Sequence, residues 1–190
     1  MAIVGLKGTL VRLVPPERAL HLENALAWMN DPETTRSLKL NLGVSRRQEE
    51  QFFDHVESDR PRSFHWAILD EAEVHVGFIG LVGVDWINRC ASGGLVIGNR
   101  SAWGRGLASD AVRVRSRFAF DQLGLHRIDG HTVNPAMKRV YLKCGYRPEG
   151  VARQKLWREG LWHDVEFFGL LRADWARTEG ARPCGSEPRN

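Results

Sequence analysis

The amino-acid sequence predicts an α+β fold: a mixed, mostly antiparallel sheet with one central β-α-β crossover and flanking helices. Three observations predict it. Gly93-Gly94-Leu95-Val96-Ile97 reads as a short buried strand, and Leu107, Ala111, Val114 and Phe118 then recur at helical spacing. Arg127–Val133 is strand-like again, so strand, helix and strand form one crossover. Phe64–Leu69 and Val74–Val84 are strand-like with no long helix between them, so they pair as a hairpin.

In chain order, Thr9–Val14 reads as a first strand. Glu17–Met29 reads as a helix that Asn30-Asp31-Pro32 ends. Ser45 with Gln48 makes a capping box for a helix carrying Phe52, Phe53 and Val56. A turn near Asp70-Glu71 joins the two hairpin strands. The crossover helix runs to about Leu123, where Gly124 caps it. Asn134 caps a short helix with Pro135 at its first position, and Gly145 closes that helix. Strand-like segments follow near Tyr146–Trp157 and Trp162–Leu171. From Ala176 the chain turns to Gly, Pro, Ser and charge. The expectation is one domain over 1–176 and a disordered tail over 177–190.

The chemistry starts at Trp103-Gly104-Arg105-Gly106-Leu107-Ala108-Ser109-Asp110. A glycine-bearing loop that leaves a strand and opens a helix points unpaired N–H groups and the positive end of the helix dipole at one spot. Such a spot suits an anion, and a pyrophosphate fits it well. The Walker loop is excluded, because Gly-Leu-Ala stands where Gly-Lys-Ser/Thr is needed. The dinucleotide fingerprint is a nearer rival. It lacks only the third glycine, at Ser109, and Asp129 falls where a ribose-binding acid would. A doubly wound fold needs repeated β-α-β units, however, and one is found. The plain alternative is a tight turn with no ligand.

The loop fits the Gln/Arg-x-x-Gly-x-Gly/Ala pattern from Trp103 through Gly106 and Ala108. Asn134-Pro135-Ala136-Met137-Lys138-Arg139-Val140-Tyr141-Leu142-Lys143-Cys144-Gly145-Tyr146 resembles Asn-x-x-Ala/Ser-x-x-x-Tyr-x-Lys-x-Gly-Phe, with Met137 and Tyr146 at two of its positions. Together they resemble the GNAT superfamily of acetyl-CoA-dependent N-acetyltransferases. Trp28–Pro32, Asp85–Asn88, His163-Asp164-Val165 and Gly169-Leu170-Leu171 resemble its ribosomal-protein N-terminal (Rim-type) branch. The resemblance runs in order over roughly residues 8 to 175.

The resemblance implies a GNAT-type fold in which the strands before and after the loop splay and the pantetheine of acetyl-CoA lies between them. Backbone groups of Leu95, Val96 and Ile97 would pair with it, and Gly93-Gly94 would supply a bulge. Amides of Trp103, Gly104, Arg105, Gly106, Leu107, Ala108 and Ser109 would hold the pyrophosphate. Trp103 replaces the usual Gln or Arg, as it often does in the Rim-type branch. Arg105 would add charge-assisted contacts, whereas Arg113, Arg115 and Arg117 read as a solvated helix face. Asn134 would touch pantetheine as well as cap its helix. Tyr141 would protonate the departing thiolate, the alternative being a core aromatic; a phenol of pKa about 10 keeps its proton at neutral pH. Trp28, Asp85 and Trp86 are placed on the acceptor side.

The general base is open. Relatives carry Glu where Ser92 stands, and Asp85, His131, His163 and Asp164 are the candidates left. An α-amine of pKa about 8 has roughly 250 times the unprotonated fraction of a lysine-type amine of about 10.4 near neutral pH. An enzyme without a strong base therefore manages peptide N-termini more readily than polyamines. Small-amine acetyltransferases and an inactive acyl-CoA sensor are the other readings. The sensor rests on Ser92 and on Met137, which stands where Ala or Ser is usual.

Composition narrows the remaining classes. At 190 residues, 43% hydrophobic and 26% charged, the chain suits one globular domain. Its net charge of +4 favours an anionic cofactor but is too diffuse to argue for nucleic acid. Lys7 interrupts the apolar N-terminus, so no signal peptide is expected, and no stretch reads as membrane-spanning. Cys90, Cys144 and Cys184 are scattered, so neither a disulfide framework nor a metal site is expected. These features predict a cytoplasmic protein with no metal; the resemblance implies acetyl-CoA and an amine acceptor as its partners, in a monomer or homodimer.

Overall fold

The computed structural model describes residues 5–38, 43–58 and 62–178. Among them, eight strands form one sheet in the order β1-β2-β3-β4-β5-β6-β8-β7. The strands are β1 (Leu6–Lys7), β2 (Val11–Val14), β3 (Phe64–Asp70), β4 (His75–Asp85), β5 (Cys90–Ile97), β6 (Arg127–Thr132), β7 (Arg147–Arg158) and β8 (Leu161–Leu171). The helices are α1 (Arg18–Met29), α2 (Pro32–Thr35), α3 (Arg46–Ser58), α4 (Leu107–Arg117), α5 (Pro135–Lys143) and α6 (Arg172–Thr178). Only β5 and β6 run parallel, joined across α4 by the expected crossover; every other neighbouring pair is antiparallel. One such unit is not a doubly wound sheet, and the dinucleotide rival falls on that ground.

Side chains alternate across the sheet, and the two faces bury different helices. On β3, Trp66 and Ile68 join the main core with Leu107, Ala111, Val112 and Val114 of α4. Ala67 and Leu69 turn the other way, onto Phe78. Phe78 also meets Leu22 and Ala25 of α1 and Phe53 of α3. One face thus carries α4 and α5, the other α1 and α3.

Local chemistry sets the element ends. The β3–β4 turn is held by Asp70, whose Oδ1 accepts from the N–H of Ala72 (3.0 Å) and Val74 (3.1 Å). The capping box forms at α3, with Ser45 N–H donating to Gln48 Oε1 (2.8 Å) and Gln48 N–H to Ser45 Oγ (3.3 Å). Asn134 Oδ1 caps α5 by accepting from Ala136 N–H (2.8 Å).

Several expectations need correction. The first strand starts at Val11 rather than Thr9, because Gly8 N–H turns back to Val11 O (2.8 Å) and a short β1 precedes it. Asp31 does not only end α1; it caps the one-turn α2. The α-helical part of α4 ends at Arg117, and Phe118–Gln122 continues as one π-helical turn. Ala176 to Thr178 lie in α6 rather than in a tail. The tail expectation otherwise falls on 179–190, outside the described residues. Gly93 and Gly94 make no bulge: they stay in register with Leu81 and Gly80.

Candidate active site

The parallel β5–β6 ladder lasts three rungs, Cys90↔Arg127, Ala91↔Ile128 and Ser92↔Asp129, and then stops. Beyond it β5 continues along β4 to Ile97, and β6 continues along β8 to Thr132. The strands part after Ser92 and Asp129, leaving a gap open at their C-terminal ends.

Ladder alternation shows which backbone groups line that gap. Gly98 N–H bonds Val76 O (2.9 Å), so Val96, two residues back, also turns its backbone groups to β4. Arg127 N–H bonds Arg89 O (3.2 Å), so positions 91, 93, 95 and 97 of β5 face β6 or the gap. The exposed edge therefore belongs to Leu95 and Ile97. Val96 was expected to join them and does not, because β4 takes its backbone. Ile97 O already accepts from the Trp103 indole Nε1 (2.7 Å), which pins the loop to the strand end.

The loop has the expected form. Gly104 (φ 78) and Gly106 (φ 87) sit in the left-handed region, which a side chain disfavours, and Gly106 is the N-cap of α4. The first turn of α4 closes on Gly106 O, with Ser109 N–H at 3.1 Å and Asp110 N–H at 3.2 Å. The amides just before these have no carbonyl of the helix to meet, and the loop that carries them follows the C-terminal end of β5. Arg105 does not project free toward a phosphate: its Nη1 lies 3.3 Å from Asp70 Oδ2. Asp110 was not foreseen as a positioning residue. Its Oδ2 accepts from Leu10 N–H (2.7 Å) and Val11 N–H (3.0 Å), tying α4 to β2.

Tyr141 stands under the point where the strands part. It is 2% exposed, packed on Tyr146 (ring centroids 4.8 Å) and Phe168 (5.2 Å). A Cβ on Gly130 would come within 2.8 Å of its Oη, so only glycine admits the phenol there. The His131 backbone N–H, the next one on β6 to face the gap, is bonded to the phenol oxygen. Burial first, then the neighbouring Tyr146, pushes the phenol pKa up to about 12. Both readings of Tyr141 thus meet in one residue: the ring is core and the oxygen is at the gap. Met137 packs half-buried against the same core.

The acceptor-side expectations divide. Trp28 reaches the open end, its ring filling the space where Gly98 lacks a side chain. Asp85 and Trp86 lie at the other end, in the turn before β5, with the closed rungs between them and the gap. Asp85 is a turn former: Oδ1 accepts from the N–H of Ile87 and Asn88 (both 2.9 Å), and these bonds with Asn88 hold its carboxyl below the usual range. Asp164 is likewise structural, accepting from Gln154 N–H (2.8 Å), and His163 sits on the β7–β8 hairpin opposite Leu156. The ring of His131 packs toward Phe167 (6.0 Å). Ser92 instead faces Asp129 across the last rung, and Asp129 is held by Arg127 Nε (2.7 Å).

The histidines beside Trp28 were missed. His75 lies 4.7 Å from Trp28 and 4.5 Å from His21, ring centre to ring centre. Burial, then the charge of His21, pushes the His75 pKa from 6.5 down to about 4. The unfolded chain takes up this proton near 6.5 and the folded chain only near 4. Stability carried by neutral His75 is therefore complete above 6.5 and lost as pH falls from 6.5 to 4. Discounted for partial exposure, the loss is about 2 kcal/mol. Denaturant titrations of the wild type and His75→Gln at pH 7 and pH 4.5 check this; the variant's stability should depend less on pH.

Among the described residues, no three His, Cys, Asp or Glu are grouped to hold a metal ion, and no helix is long and apolar enough to cross a membrane.

Comparison with known proteins agrees with this geometry. Residues 11–147 match the family described as Acetyltransferase (GNAT) domain. The chain is 29% identical over 134 residues to the probable N-acetyltransferase YjcK of Bacillus subtilis, covering 68% of this chain and 72% of that protein. It is 32% identical over 101 residues to YdaF of the same species, provisionally named a ribosomal N-acetyltransferase, covering 52% of this chain and 55% of YdaF. Among solved structures, the spermidine N-acetyltransferase of Vibrio cholerae in complex with CoA and spermine has the same fold. Its TM-score is 0.80 at 21% identity, with 87% of this chain and 97% of that one covered.

Proposed function

Because the chain belongs to the acetyltransferase (GNAT) domain family and is an acetyl-CoA-dependent N-acetyltransferase, we propose that it acetylates a primary amine of low pKa, foremost a peptide or protein N-terminal α-amine, as in the Rim-type branch. The observation that carries this reading is the parting of β5 and β6, with the N-terminus of α4 at its mouth and the Tyr141 phenol at its foot.

In this reading the amides from Trp103 to Ser109 hold the pyrophosphate. Leu95 and Ile97 offer their backbone edge to pantetheine. Asn134, whose oxygen is committed to its cap, offers its Nδ2 donors. The thioester then comes to rest above Tyr141. The amine nitrogen attacks the thioester carbonyl carbon, a backbone N–H of the exposed β5 edge binds the developing oxyanion, and the carbon–sulfur bond breaks. Tyr141 gives its proton to the departing sulfur. The proton released from the new amide nitrogen passes to water, and the phenolate takes one back from water. A phenol near 12 protonates a thiolate of ordinary pKa about 8.5 only uphill, by about 5 kcal/mol, and every group that favours the phenolate keeps that cost from being larger.

Two features favour an α-amine. Serine stands at position 92, which leaves the amine to arrive already unprotonated. The carboxylates beside the gap are also largely paired: Asp129 and Glu149 share Arg127, and Glu166 binds Lys138 (2.7 Å), so these three leave one net negative charge to draw a polycation. The second reading is a polyamine acceptor, supported by the fold shared with the spermine-bound Vibrio cholerae enzyme. Rates measured against pH separate them. For an α-amine, kcat/KM should rise about tenfold per pH unit and level off near pH 8; a lysine-type amine should still be rising at pH 10. A polyamine turned over faster than any peptide at pH 7 would overturn the α-amine reading and leave the enzyme class standing. A cytoplasmic location belongs to the same proposal.

A further inference from the structure

Arg115 is the largest fully buried side chain among the described residues, at 0% exposure. The sequence placed it with Arg113 and Arg117 on a solvated face. Instead its guanidinium lies beneath β5. Nη2 donates to Tyr146 Oη (2.6 Å), Nη1 reaches Gly80 O (3.5 Å), and Nε has no partner. Among the described residues no carboxylate pairs with it, so a permanent cation is buried without a counter-charge, which folding alone does not reward.

Its place explains it. A Cβ on Gly93 would lie 2.8 Å from the guanidinium carbon, just as one on Gly130 would meet the Tyr141 phenol. Gly93 and Gly130 are the first residues past the last rung, one on each strand. The cation and the phenol therefore come up side by side under the parting strands, on the same face, with Tyr146 between them.

We infer that Arg115 is a positioning residue for acetyl transfer: through Tyr146 it fixes the Tyr141 phenol beneath the gap and supplies the positive charge that stabilises the phenolate formed when Tyr141 gives up its proton. The inference rests on the proposed role of Tyr141. It also accounts for Gly93, which no bulge requires. Burial raises the pKa of both phenols, and Arg115 is the group that opposes this in both. The other groups facing them are the Ser116 hydroxyl on α4, which also favours the Tyr146 phenolate, the Cys144 thiol, from the end of α5, and the His131 backbone on β6.

The chain contains two tyrosines, Tyr141 and Tyr146, so ultraviolet titration of tyrosinate reads this pair alone. Ionisation is followed in the first moments after an alkaline pH jump, before unfolding, in the wild type, Arg115→Gln and Arg115→Lys. Gln keeps a donor for Tyr146 and loses the charge; Lys keeps the charge and loses the fork. In Arg115→Gln the titration should move up by about one pH unit and kcat should fall about tenfold, with KM for acetyl-CoA unchanged. In Arg115→Lys both should stay near wild type. Equal behaviour of the two variants, or an unmoved titration in folded Arg115→Gln, would overturn the inference. Should Arg115→Gln not fold, Tyr146→Phe tests the relay: it must lower kcat without changing KM for acetyl-CoA, and unchanged kcat refutes the inference. Absence of turnover in the wild type would instead remove the proposed function, and the titration would still report whether Arg115 governs the phenols.

Discussion

Tyr141→Phe should lower kcat by about a hundredfold to a thousandfold while leaving KM for acetyl-CoA within about twofold. The ring is what packs on Tyr146 and Phe168, and Phe keeps it. Only the hydroxyl under Gly130 disappears, and with it the bond from His131 N–H, at a cost to stability of about 1 kcal/mol. A phenol held near 12 keeps its proton through the whole working range, so the wild type should show no alkaline fall in rate from this group. Steady-state kinetics with one acceptor, together with CoA affinity by calorimetry, check both halves. An unchanged kcat would mean that the sulfur takes its proton from the amine and that Tyr141 is a core residue only.

Asp110→Ala should be the most damaging substitution to the fold outside the sheet core. One buried oxygen, Asp110 Oδ2, accepts from both Leu10 and Val11 N–H, at 2.7 and 3.0 Å. Removing it strands two backbone donors, Val11 buried and Leu10 half-buried, at about 1–3 kcal/mol each. A total near 4 kcal/mol should lower Tm by about 8–16 °C in a chain of this size. Asp110→Asn keeps an acceptor oxygen in place and should lose less than half as much. Because Asp110 sits in the first turn of α4, Asp110→Ala should also weaken CoA binding by loosening the loop. Thermal unfolding of the two variants decides it; equal losses would show that the site, not the two bonds, matters.

The parts of the fold carried by strong local signals were legible in the sequence. Apolar periodicity gave α4 and the strands on either side, and the glycines at 104 and 106 marked the turn between them. Short elements were not legible. β1 has two residues and α2 four, too few for any period; β1 exists by pairing with β2, and α2 by the Asp31 cap with Pro32 at its first position.

Arg115 shows a different failure. It stands four residues after Ala111 and three before Phe118, on the apolar stripe of α4, so spacing alone placed it inside. Residue type argued for solvent and was wrong, because the space under Gly93 and the Tyr146 hydroxyl receive the guanidinium. Asp85 and Trp86 failed for a topological reason. They lie in the turn where β5 begins, whereas the anion-binding loop follows its far end, so strand direction already put them at opposite ends of the sheet. His75 gave no signal, since its meeting with Trp28 and His21 depends on α1 crossing β4.

The most direct test of the central claim is free thiol release from acetyl-CoA at pH 7.5 against N-terminal peptides, polyamines and aminoglycosides. The account predicts release that depends on the acceptor, is fastest with an N-terminal peptide and is largely lost in Tyr141→Phe. Tight CoA binding with no release from any acceptor would contradict it, leaving an acyl-CoA-binding protein with the right gap and no turnover.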